Sequence, residues 1–352
     1  MKKILLLNQG HTENYGDIAI RETIESFFKN KNYIIDFYPY WSENLVFGKW
    51  YNNAPNLIKK ILWHNIKTID ILNNISIKKL KNLSKYDAAI IGGGELLGSH
   101  PGFNSSLYVW AKLLDKLNIP LYIIGVSGNA DMGLVFLERN KKALSLAKKI
   151  LVRDSNTAKI LKERYQVNAK VYPDVVFAYH NICKKRKKIS KKSGLVFIPI
   201  EYYSLIKNNL KLSNENEYIE YCCNLIISNR ESKEPIIITI TTKTDEEIAQ
   251  KIYKYIIEKR KISNVNYIPY SALKDFDELL LKSRLIISAR MHALILGLIN
   301  KCTIKEIPFK DKLKVFGKEY NKSNLKLMQI SKKAEDSLNV VEKEIRGNFY
   351  DK

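Results

Sequence analysis

The sequence predicts an α/β protein made of two Rossmann-like domains whose parallel sheets face a cleft. Short apolar runs typical of buried strands alternate with stretches in which apolar residues recur at helical spacing. This alternation favours parallel strands that are covered by helices on both faces. It stops at a lysine-rich segment near residue 185 and then starts again. A chain of 352 residues is long enough for about two such domains.

In the first half of the chain, each predicted strand is an apolar run that ends in small or polar residues. The helices between the strands keep apolar residues at helical spacing and begin beside polar residues that suit a helix start. The predicted strands are 4–7, 34–38, 86–91, 121–126, 150–152 and 169–172. The predicted helices are 17–29, 55–83, 107–117, 135–147 and 155–164.

The same pattern restarts after the lysine-rich segment. The predicted strands are 194–199, 236–240, 265–268 and 285–288. The predicted helices are 215–229, 245–260 and 272–281, followed by one that begins at residue 291 and by a helical tail over 320–352. We therefore expect an N-terminal domain over 1–180, a basic linker over 181–193, a C-terminal domain over 194–320, and a tail over 321–352 that packs back.

The charge balance is strongly basic, with 59 Lys and Arg residues against 36 Asp and Glu residues and a net charge of +23. Such a field favours anionic partners. The run from Lys184 to Lys192 is dense in lysine and typical of a solvated linker; contact with an anionic membrane face is the functional alternative. The sequence lacks zinc-finger, helix-turn-helix and interleaved aromatic and basic patterns, which argues against nucleic acid as a partner.

The remaining composition favours a cytoplasmic protein. The four cysteines lack metal-ligand and redox spacing and are typical of reduced thiols, and no grouping of His, Cys and Asp predicts a metal site. The apolar run at the N-terminus is too short for a signal peptide, and no apolar stretch reaches the ~18 residues of a membrane span. We expect the basic run to provide any contact with the inner membrane face.

Two arginines stand where a predicted strand gives way to a predicted helix. Arg153 and Arg290 each follow such a strand, and His292 comes two residues after Arg290. Ligand crevices open at the carboxyl ends of parallel strands, and two guanidinium groups beside helix N-termini would bind a small polyanion. The structural alternative is that each arginine pairs with a carboxylate. The candidate partners are Asp154, Asp174 and Glu95.

The loop before the first predicted helix holds Asn14 and Asp17. One interpretation is that Asp17 caps the helix, which aspartate does well. The same position lies at the carboxyl end of the first strand, where a carboxylate could accept a proton from a bound hydroxyl. The sequence leaves both interpretations open. Other residues that follow strands are predicted to form the rim of the cleft together with Asn14: Gly93, Gly94, Glu95 and Ser127.

Six stretches carry these glycines, arginines and carboxylates in order along the chain. They are Asn14-Tyr15-Gly16-Asp17-Ile18-Ala19-Ile20, Asp87-Ala88-Ala89-Ile90-Ile91-Gly92-Gly93-Gly94, Ile124-Gly125-Val126-Ser127-Gly128, Val152-Arg153-Asp154, Pro173-Asp174-Val175-Val176-Phe177 and Ser288-Ala289-Arg290-Met291-His292-Ala293. Together they resemble the polysaccharide pyruvyltransferase family. The resemblance implies a GT-B-like fold and transfer of a pyruvyl group from phosphoenolpyruvate to two hydroxyls of a sugar, which forms a ketal and releases phosphate.

The resemblance also implies roles for individual residues. Arg153, Arg290 and His292 would bind the donor, and Asp17 would be a catalytic carboxylate. Phosphoenolpyruvate carries a phosphate and a carboxylate, and each could be held by one guanidinium, with Arg290 also acting on the reacting centre. We predict His292 as the general acid and Asp17 as the general base, with the reverse assignment open. No cofactor beyond the donor is expected, and the acceptor would belong to a cell-surface polysaccharide or its lipid-linked precursor.

Two other functions remain open from the sequence. The same fold and an anion-binding cleft would also suit a GT-B glycosyltransferase that uses a nucleotide-sugar donor. The second alternative is a non-catalytic scaffold of polysaccharide assembly that binds its partners through charge.

Overall fold

The computed structural model describes residues 1–128, 133–183, 192–206, 212–307, 313, 316–317, 320 and 327–347. The chain divides into two compact units. Unit 1 comprises Met1–His11, Ile20–Cys183 and Ser331–Lys352, and unit 2 comprises Thr12–Ala19 and Lys184–Ile330.

Each unit is built on one parallel sheet. The described strands of unit 1 are β1 (Lys3–Asn8), β2 (Ile34–Pro39), β3 (Ala88–Leu97), β4 (Leu121–Gly128), β5 (Ala147–Val152) and β6 (Lys170–Val171), in the order β2-β1-β3-β4-β5-β6. Those of unit 2 are β7 (Leu195–Ile198), β8 (Ile236–Thr239), β9 (Val265–Ile268), β10 (Leu285–Ser288) and β11 (Thr303–Glu306), in the order β11-β10-β7-β8-β9. β3, β7 and β10 are almost wholly buried, as expected for inner strands of covered parallel sheets.

Helices connect the strands in both units. They are α1 (Tyr15–Lys29), α2 (Glu43–Val46), α3 (Asn56–His64), α4 (Ile66–Lys78), α5 (Pro101–Lys116), α6 (Leu134–Ser145), α7 (Ser155–Tyr165), α8 (Tyr179–Ile182), α9 (Tyr202–Ile206), α10 (Glu215–Asn229), α11 (Glu246–Glu258), α12 (Leu273–Lys282), α13 (Met291–Ile299) and α14 (Leu327–Gly347). Short 3-10 turns occur at Lys49–Asn53, Leu83–Lys85, Val175–Ala178 and Lys243–Asp245.

The C-terminal helix α14 lies mostly in unit 1. The Tyr33 hydroxyl donates a hydrogen bond to Glu342 of this helix (3.2 Å), and Lys149 forms an ion pair with Glu344. The ammonium of Lys2 donates to the carbonyl of Ile345. These contacts attach α14 to unit 1 beside β1, β2 and β5.

The predicted fold class, α/β with two parallel sheets, is confirmed. The predicted helix 55–83 is instead two helices, because Asn65 ends α3 and its side chain caps α4 by accepting a hydrogen bond from the Thr68 N–H (3.2 Å). The helix predicted from residue 107 begins earlier, at Pro101, which is a favoured residue for a first helical position. The edge strand β11 was not predicted, since Lys305 and Glu306 make it polar.

Two features of the predicted domain division differ from the observed units. The segment Thr12–Ala19 lies in unit 2, although the sequence analysis assigned it to the N-terminal domain. Most of the basic run proposed as a membrane contact, residues 184–191, lies outside the described residues. Lys192, its last residue, is half-buried and donates hydrogen bonds to the carbonyls of Ser283 (3.2 Å) and Asn300 (2.6 Å). Lys192 is therefore a structural anchor of unit 2 rather than part of a solvated linker.

The described residues offer neither a membrane-spanning helix nor a cluster of metal ligands. No helix in this part of the chain combines the length and the apolar content needed to cross a membrane. Nor do three or more His, Cys, Asp or Glu side chains come together there in a cluster that could hold a metal ion.

Candidate active site

The strand order of unit 2 places a switch point between β7 and β10. β7 pairs with β8 on one side and with β10 on the other, all in parallel. Crevices for ligands open beyond the carboxyl ends of strands at such a point, because the connections leave in opposite directions. Glu201 follows β7 here, and Arg290 follows β10. The predicted site residues Arg290 and His292 therefore lie at the topologically expected place.

Arg290 is held by a buried carboxylate. It precedes α13 with an extended backbone, and its Nε and Nη2 donate to Asp245 at 2.8 and 2.5 Å. Asp245 is fully buried, and its Oδ1 also accepts the backbone N–H of Glu201 (3.0 Å). Asp245 follows β8, so one carboxylate links the ends of β7, β8 and β10.

This ion pair determines which part of the Arg290 guanidinium can meet a ligand. Asp245 occupies the edge formed by Nε and Nη2, whereas Nη1 has no hydrogen-bond partner among the described residues. The Arg290 side chain is 27% exposed. Burial raises the pKa of Asp245 above its ordinary value, and the hydrogen bonds from Arg290 offset part of that rise. The available edge, Nη1 with the second Nη2 hydrogen, can still bind an anion in a paired geometry.

His292 lies in the first turn of α13, and Gly16 packs directly against it. A β-carbon added at Gly16 would come within 3.0 Å of three His292 atoms, Nδ1, Cγ and Cβ. Gly16 lies in the first turn of α1. The N-terminal turns of α1 and α13 therefore meet at this imidazole, and a residue without a side chain makes the close approach feasible.

The segment Thr12–Ala19 belongs to unit 2 because Tyr15 anchors it there. The Tyr15 ring is buried and stacks on Tyr270 (4.5 Å between centroids) and on Phe276 (5.0 Å). Its hydroxyl accepts the Ser271 N–H (2.8 Å), and its own N–H donates to the Thr241 carbonyl (2.9 Å). These contacts explain why the segment departs from the domain predicted for it.

Asp17 does not cap α1. The helix begins at Tyr15, and Asn14 accepts the Gly16 N–H through Oδ1 (2.9 Å), so Asn14 is the capping residue and the capping interpretation of Asp17 is wrong. Asp17 lies in the first turn, where its carboxylate accepts a hydrogen bond from the Thr12 hydroxyl (3.2 Å). It follows Gly16 in the chain and lies in the same unit as His292.

Arg153 lies in unit 1 and is buried. Its Nη1 donates to Asp174 at 3.1 Å, and its Nη2 donates to the Ser127 hydroxyl at 2.6 Å. Both side chains of the Arg153–Asp174 pair are only 4% exposed. Asp174 was one of the three partners considered in the structural alternative, and this pairing is what the structure contains. Ser127 is likewise buried beneath Arg153 rather than forming an open rim.

The three-glycine stretch is part of a strand rather than a loop after it. β3 continues through Gly93 and Gly94 to Leu97, and Glu95 pairs in register with Ser127 of β4. Gly93 has φ +65°, and a β-carbon there would collide with the side chain of Ile20. Gly92 and Gly93 therefore allow α1 to pack closely on the sheet, and the expectation that the glycines follow the end of the strand is wrong.

Sequence reasoning missed Asp245, Tyr15 and Gly16. Asp245 was predicted as the start of a helix, and an acidic residue at that position is ordinary enough to conceal a pairing with Arg290. Tyr15 and Gly16 lay within a noted stretch without a role. A signal for them was available, since a glycine inside the first turn of a helix is unfavourable and calls for a close contact.

Comparison with known proteins gives a family and a fold. The model of the polysaccharide pyruvyl transferase family matches residues 14–303. The comparison with curated proteins gives no match.

Solved structures resemble this chain in fold at low sequence identity. UDP-GlcNAc 2-epimerase from Methanocaldococcus jannaschii has a TM-score of 0.57 at 11% identity, covering 97% of this chain and 99% of its own. UDP-N-acetylglucosamine 2-epimerase from Rickettsia bellii has a TM-score of 0.54 at 12% identity, and the match covers 100% of this chain and 97% of that chain. A protein from Listeria monocytogenes described as a UDP-N-acetylglucosamine 2-epimerase has a TM-score of 0.54 at 9% identity, and the match covers 97% of this chain and 89% of that chain. At such identities the likeness shows the fold alone, a GT-B-like one.

Proposed function

This chain belongs to the polysaccharide pyruvyl transferase family, and we propose that it transfers a pyruvyl group from phosphoenolpyruvate to two hydroxyls of a sugar. The product is a ketal, and phosphate is released. The acceptor belongs to a cell-surface polysaccharide or to its lipid-linked precursor. The chain is thus a transferase, and its reaction requires no cofactor besides the donor.

The observation that carries this proposal is the contact between Gly16 and His292. It supports the proposal because Asp17, the residue after Gly16, belongs to the same unit as His292 and Arg290. One unit thus supplies a carboxylate next to Gly16 in the chain, an imidazole against Gly16, and a guanidinium two residues before that imidazole. Such a set can bind an anion and move protons at the atoms beside it.

The reaction needs one proton donor and one proton acceptor. The methylene carbon of the donor takes a proton and becomes a methyl group, while the first sugar hydroxyl adds to the adjacent carbon. The second hydroxyl then displaces the phosphate from that carbon and closes the ketal. The two sugar hydroxyls lose one proton each. One of these protons replaces the proton that was added to the methylene carbon, and the other is released with phosphate.

We assign these tasks to residues of unit 2. The free edge of Arg290 binds the carboxylate or the phosphate of the donor, and the amides at the N-terminus of α13 favour the same negative charge. His292 donates the proton to carbon, and Asp17 accepts the proton of the attacking hydroxyl. Asp245 does not touch the substrate; it orients Arg290 by fixing one edge of its guanidinium. Arg153, paired with Asp174 in unit 1, supports the fold around Ser127 instead of contacting the donor.

Phosphate release tests the proposal. Purified protein is incubated with phosphoenolpyruvate and a panel of sugars that includes lipid-linked repeat units, and both phosphate and the mass of the sugar are measured. We expect phosphate release that depends on the sugar and equals the pyruvyl groups gained. Transfer from a nucleotide sugar, with phosphoenolpyruvate inert, would contradict the proposal. Unchanged glycan synthesis in cells that carry Arg290→Ala and His292→Ala would point to a scaffold and contradict it as well.

A further inference from the structure

A stretch of unit 1 exposes an unusual number of large apolar side chains. The described residues expose eighteen of them, and seven lie between residues 45 and 75. Scattered exposed hydrophobics are normal, but their concentration in one place marks an interaction surface. The seven are Leu45, Trp50, Leu57, Ile58, Ile61, Ile71 and Ile75.

Helix α3 carries exposed apolar residues as well as apolar residues that face the core. Leu62 and Trp63 face inward and pack against the hydrophobic core of unit 1. Leu57 and Ile61, one turn apart, are 69% and 62% exposed, and Ile58, which lies one turn before Leu62 at the flank of this side, is 42% exposed. The outward side of a surface helix is normally polar. The inward packing of Leu62 and Trp63 therefore leaves an apolar side of α3 that no described residue of unit 1 covers.

The next helix, α4, repeats this arrangement. Ile69 and Ile77 are buried, whereas Ile71 and Ile75, one turn apart, are 61% and 51% exposed. Lys67 lies one turn before Ile71 on this outward side. The exposed apolar stripe of α4 thus begins beside a cation.

Along the chain from residue 45 to residue 81 the charge is almost entirely positive, and Glu43 of α2 lies near Lys59. Residues 45–81 contain seven lysines and a single acidic residue, Asp70, which accepts a hydrogen bond from Arg139 (2.6 Å) and is thereby neutralised. Six of the lysines are exposed, namely Lys49, Lys60, Lys67, Lys78, Lys79 and Lys81. Exposed apolar groups with interspersed lysines complement a layer that is apolar below and anionic above.

We propose that Trp50 and the outward sides of α3 and α4 form the surface by which this chain docks on an anionic phospholipid membrane. The leucine and isoleucine side chains enter the boundary between headgroups and acyl chains. Lysine stems lie along this apolar layer while their ammonium groups reach lipid phosphates. Trp50, 56% exposed, has the amphipathic ring that favours the interface. This docking surface does not include residues of the basic run and does not depend on the donor chemistry.

Vesicle flotation with the full chain tests the apolar part. Vesicles of phosphatidylcholine with phosphatidylglycerol are compared for the wild type and for Leu57→Ser/Ile58→Ser/Ile61→Ser. We expect the triple variant to lose at least tenfold in vesicle affinity. The matched control is Leu134→Ser/Val135→Ser, which removes two other strongly exposed apolar side chains of unit 1 and should bind as the wild type does.

Lysine variants test the electrostatic part. Lys60→Glu/Lys67→Glu should lower affinity for anionic vesicles by at least tenfold, since each lysine near such a surface contributes roughly fivefold. The control Lys254→Glu/Lys259→Glu makes the same charge change at an exposed lysine of α11 and at the exposed lysine that follows this helix. It should change the vesicle affinity only slightly. Vesicles of pure phosphatidylcholine should bind every variant weakly.

Trp50 provides a direct report of insertion. Its fluorescence should shift to the blue on binding and be quenched by brominated lipids, and Trp50→Phe should remove that signal. Circular dichroism checks that each variant is folded. If the triple variant is unfolded, Ile71→Ser/Ile75→Ser serves as a second variant. Equal binding by the triple variant and the wild type would overturn the proposal. The proposal would also be overturned if vesicle binding were lost only when the charges of residues 184–188 are neutralised. It would be overturned as well if the chain bound an acidic protein but did not bind vesicles.

Discussion

The α-carbon of Gly16 lies against the imidazole of His292 and leaves no space for even one methyl group between them. The two residues are far apart in sequence, and each occupies the first turn of its own helix, α1 or α13. The contact fixes where the His292 ring can lie. If His292 transfers a proton as we propose, a ring held in this way needs little reorganisation to do so.

We expect Gly16→Ala to lower kcat by about 100-fold, because a methyl group at this position displaces the imidazole by the order of an ångström. The protein should remain folded, since Tyr15 still anchors the segment. Steady-state kinetics and a melting temperature would separate the two effects. Gly133→Ala is the control, as a β-carbon there meets nothing within 4 Å. A Gly16→Ala enzyme with normal kcat would show that His292 is not positioned by this contact.

The bidentate pair between Asp245 and Arg290 leads to a second prediction. Asp245→Asn keeps the size of the side chain but turns an amide N–H toward a guanidinium that also donates. We expect KM for phosphoenolpyruvate to rise at least tenfold and stability to fall by about 2 kcal/mol, the cost of spoiling a partly buried charged pair. Kinetics and urea denaturation measure the two quantities.

Arg290→Lys is the companion variant for Asp245→Asn. An ammonium cannot contact a carboxylate and a donor anion with two planar edges at once. If Asp245 acts through Arg290, the double variant should have a KM close to that of Arg290→Lys alone. Additive effects of the two substitutions would contradict a positioning role for Asp245.

The strands were predictable where an apolar run is uninterrupted and ends in polar residues. β9 and β10 agree with their predictions residue for residue. The predicted third strand ended before its glycines because glycine usually weakens strands. In the structure β3 continues through them, and Gly93 makes space for Ile20. Local sequence does not contain that contact, since it depends on how α1 packs on the sheet.

A site residue could be predicted from the sequence only where its place at the end of one strand or the start of one helix was enough to identify it. Arg290 and His292 could be identified because a strand end and a helix start adjoin in the chain. The partner of Arg290 could not, since Asp245 reaches it only through the order of β8, β7 and β10 in the sheet. The same limitation applies to Tyr15, whose ring partners lie some 255 residues further along.

The Arg153–Asp174 pair yields a third prediction. Arg153→Met removes the cation that pairs with the buried Asp174 carboxylate, so we expect a loss of stability of about 3–5 kcal/mol. Arg153→Met/Asp174→Leu removes both charges and should recover most of that loss. Thermal denaturation provides the comparison. Activity should return with stability in the double variant; a stable but inactive double variant would instead restore Arg153 to the donor site.

Tyr15 provides a fourth prediction, on the attachment of residues 12–19. Tyr15→Phe loses only the hydrogen bond from the Ser271 N–H and should cost about 1 kcal/mol. Tyr15→Ala also loses the stacking on Tyr270 and Phe276 and should cost about 3–5 kcal/mol, as for other buried aromatics. Hydrogen exchange at residues 16–19 should increase in the alanine variant alone. Equal exchange in both variants would indicate that another contact holds the segment.

The pKa of Tyr270 gives a last prediction, because it depends on Asp17. Burial raises this pKa to about 12, and the charges of Glu13 and Asp17 add to the rise together with neighbouring Tyr15. The phenol then keeps its proton in the folded state at a pH where the unfolded chain, with an ordinary tyrosine pKa of ~10, has lost it. The associated stability is complete below pH ~10 and disappears as the pH rises toward the folded value. Denaturation curves between pH 10 and 12 should therefore fall more steeply for the wild type than for Tyr270→Phe. Asp17→Asn should lower the Tyr270 pKa, and an unchanged value would mean that this carboxylate points away from the ring and from the adjoining His292.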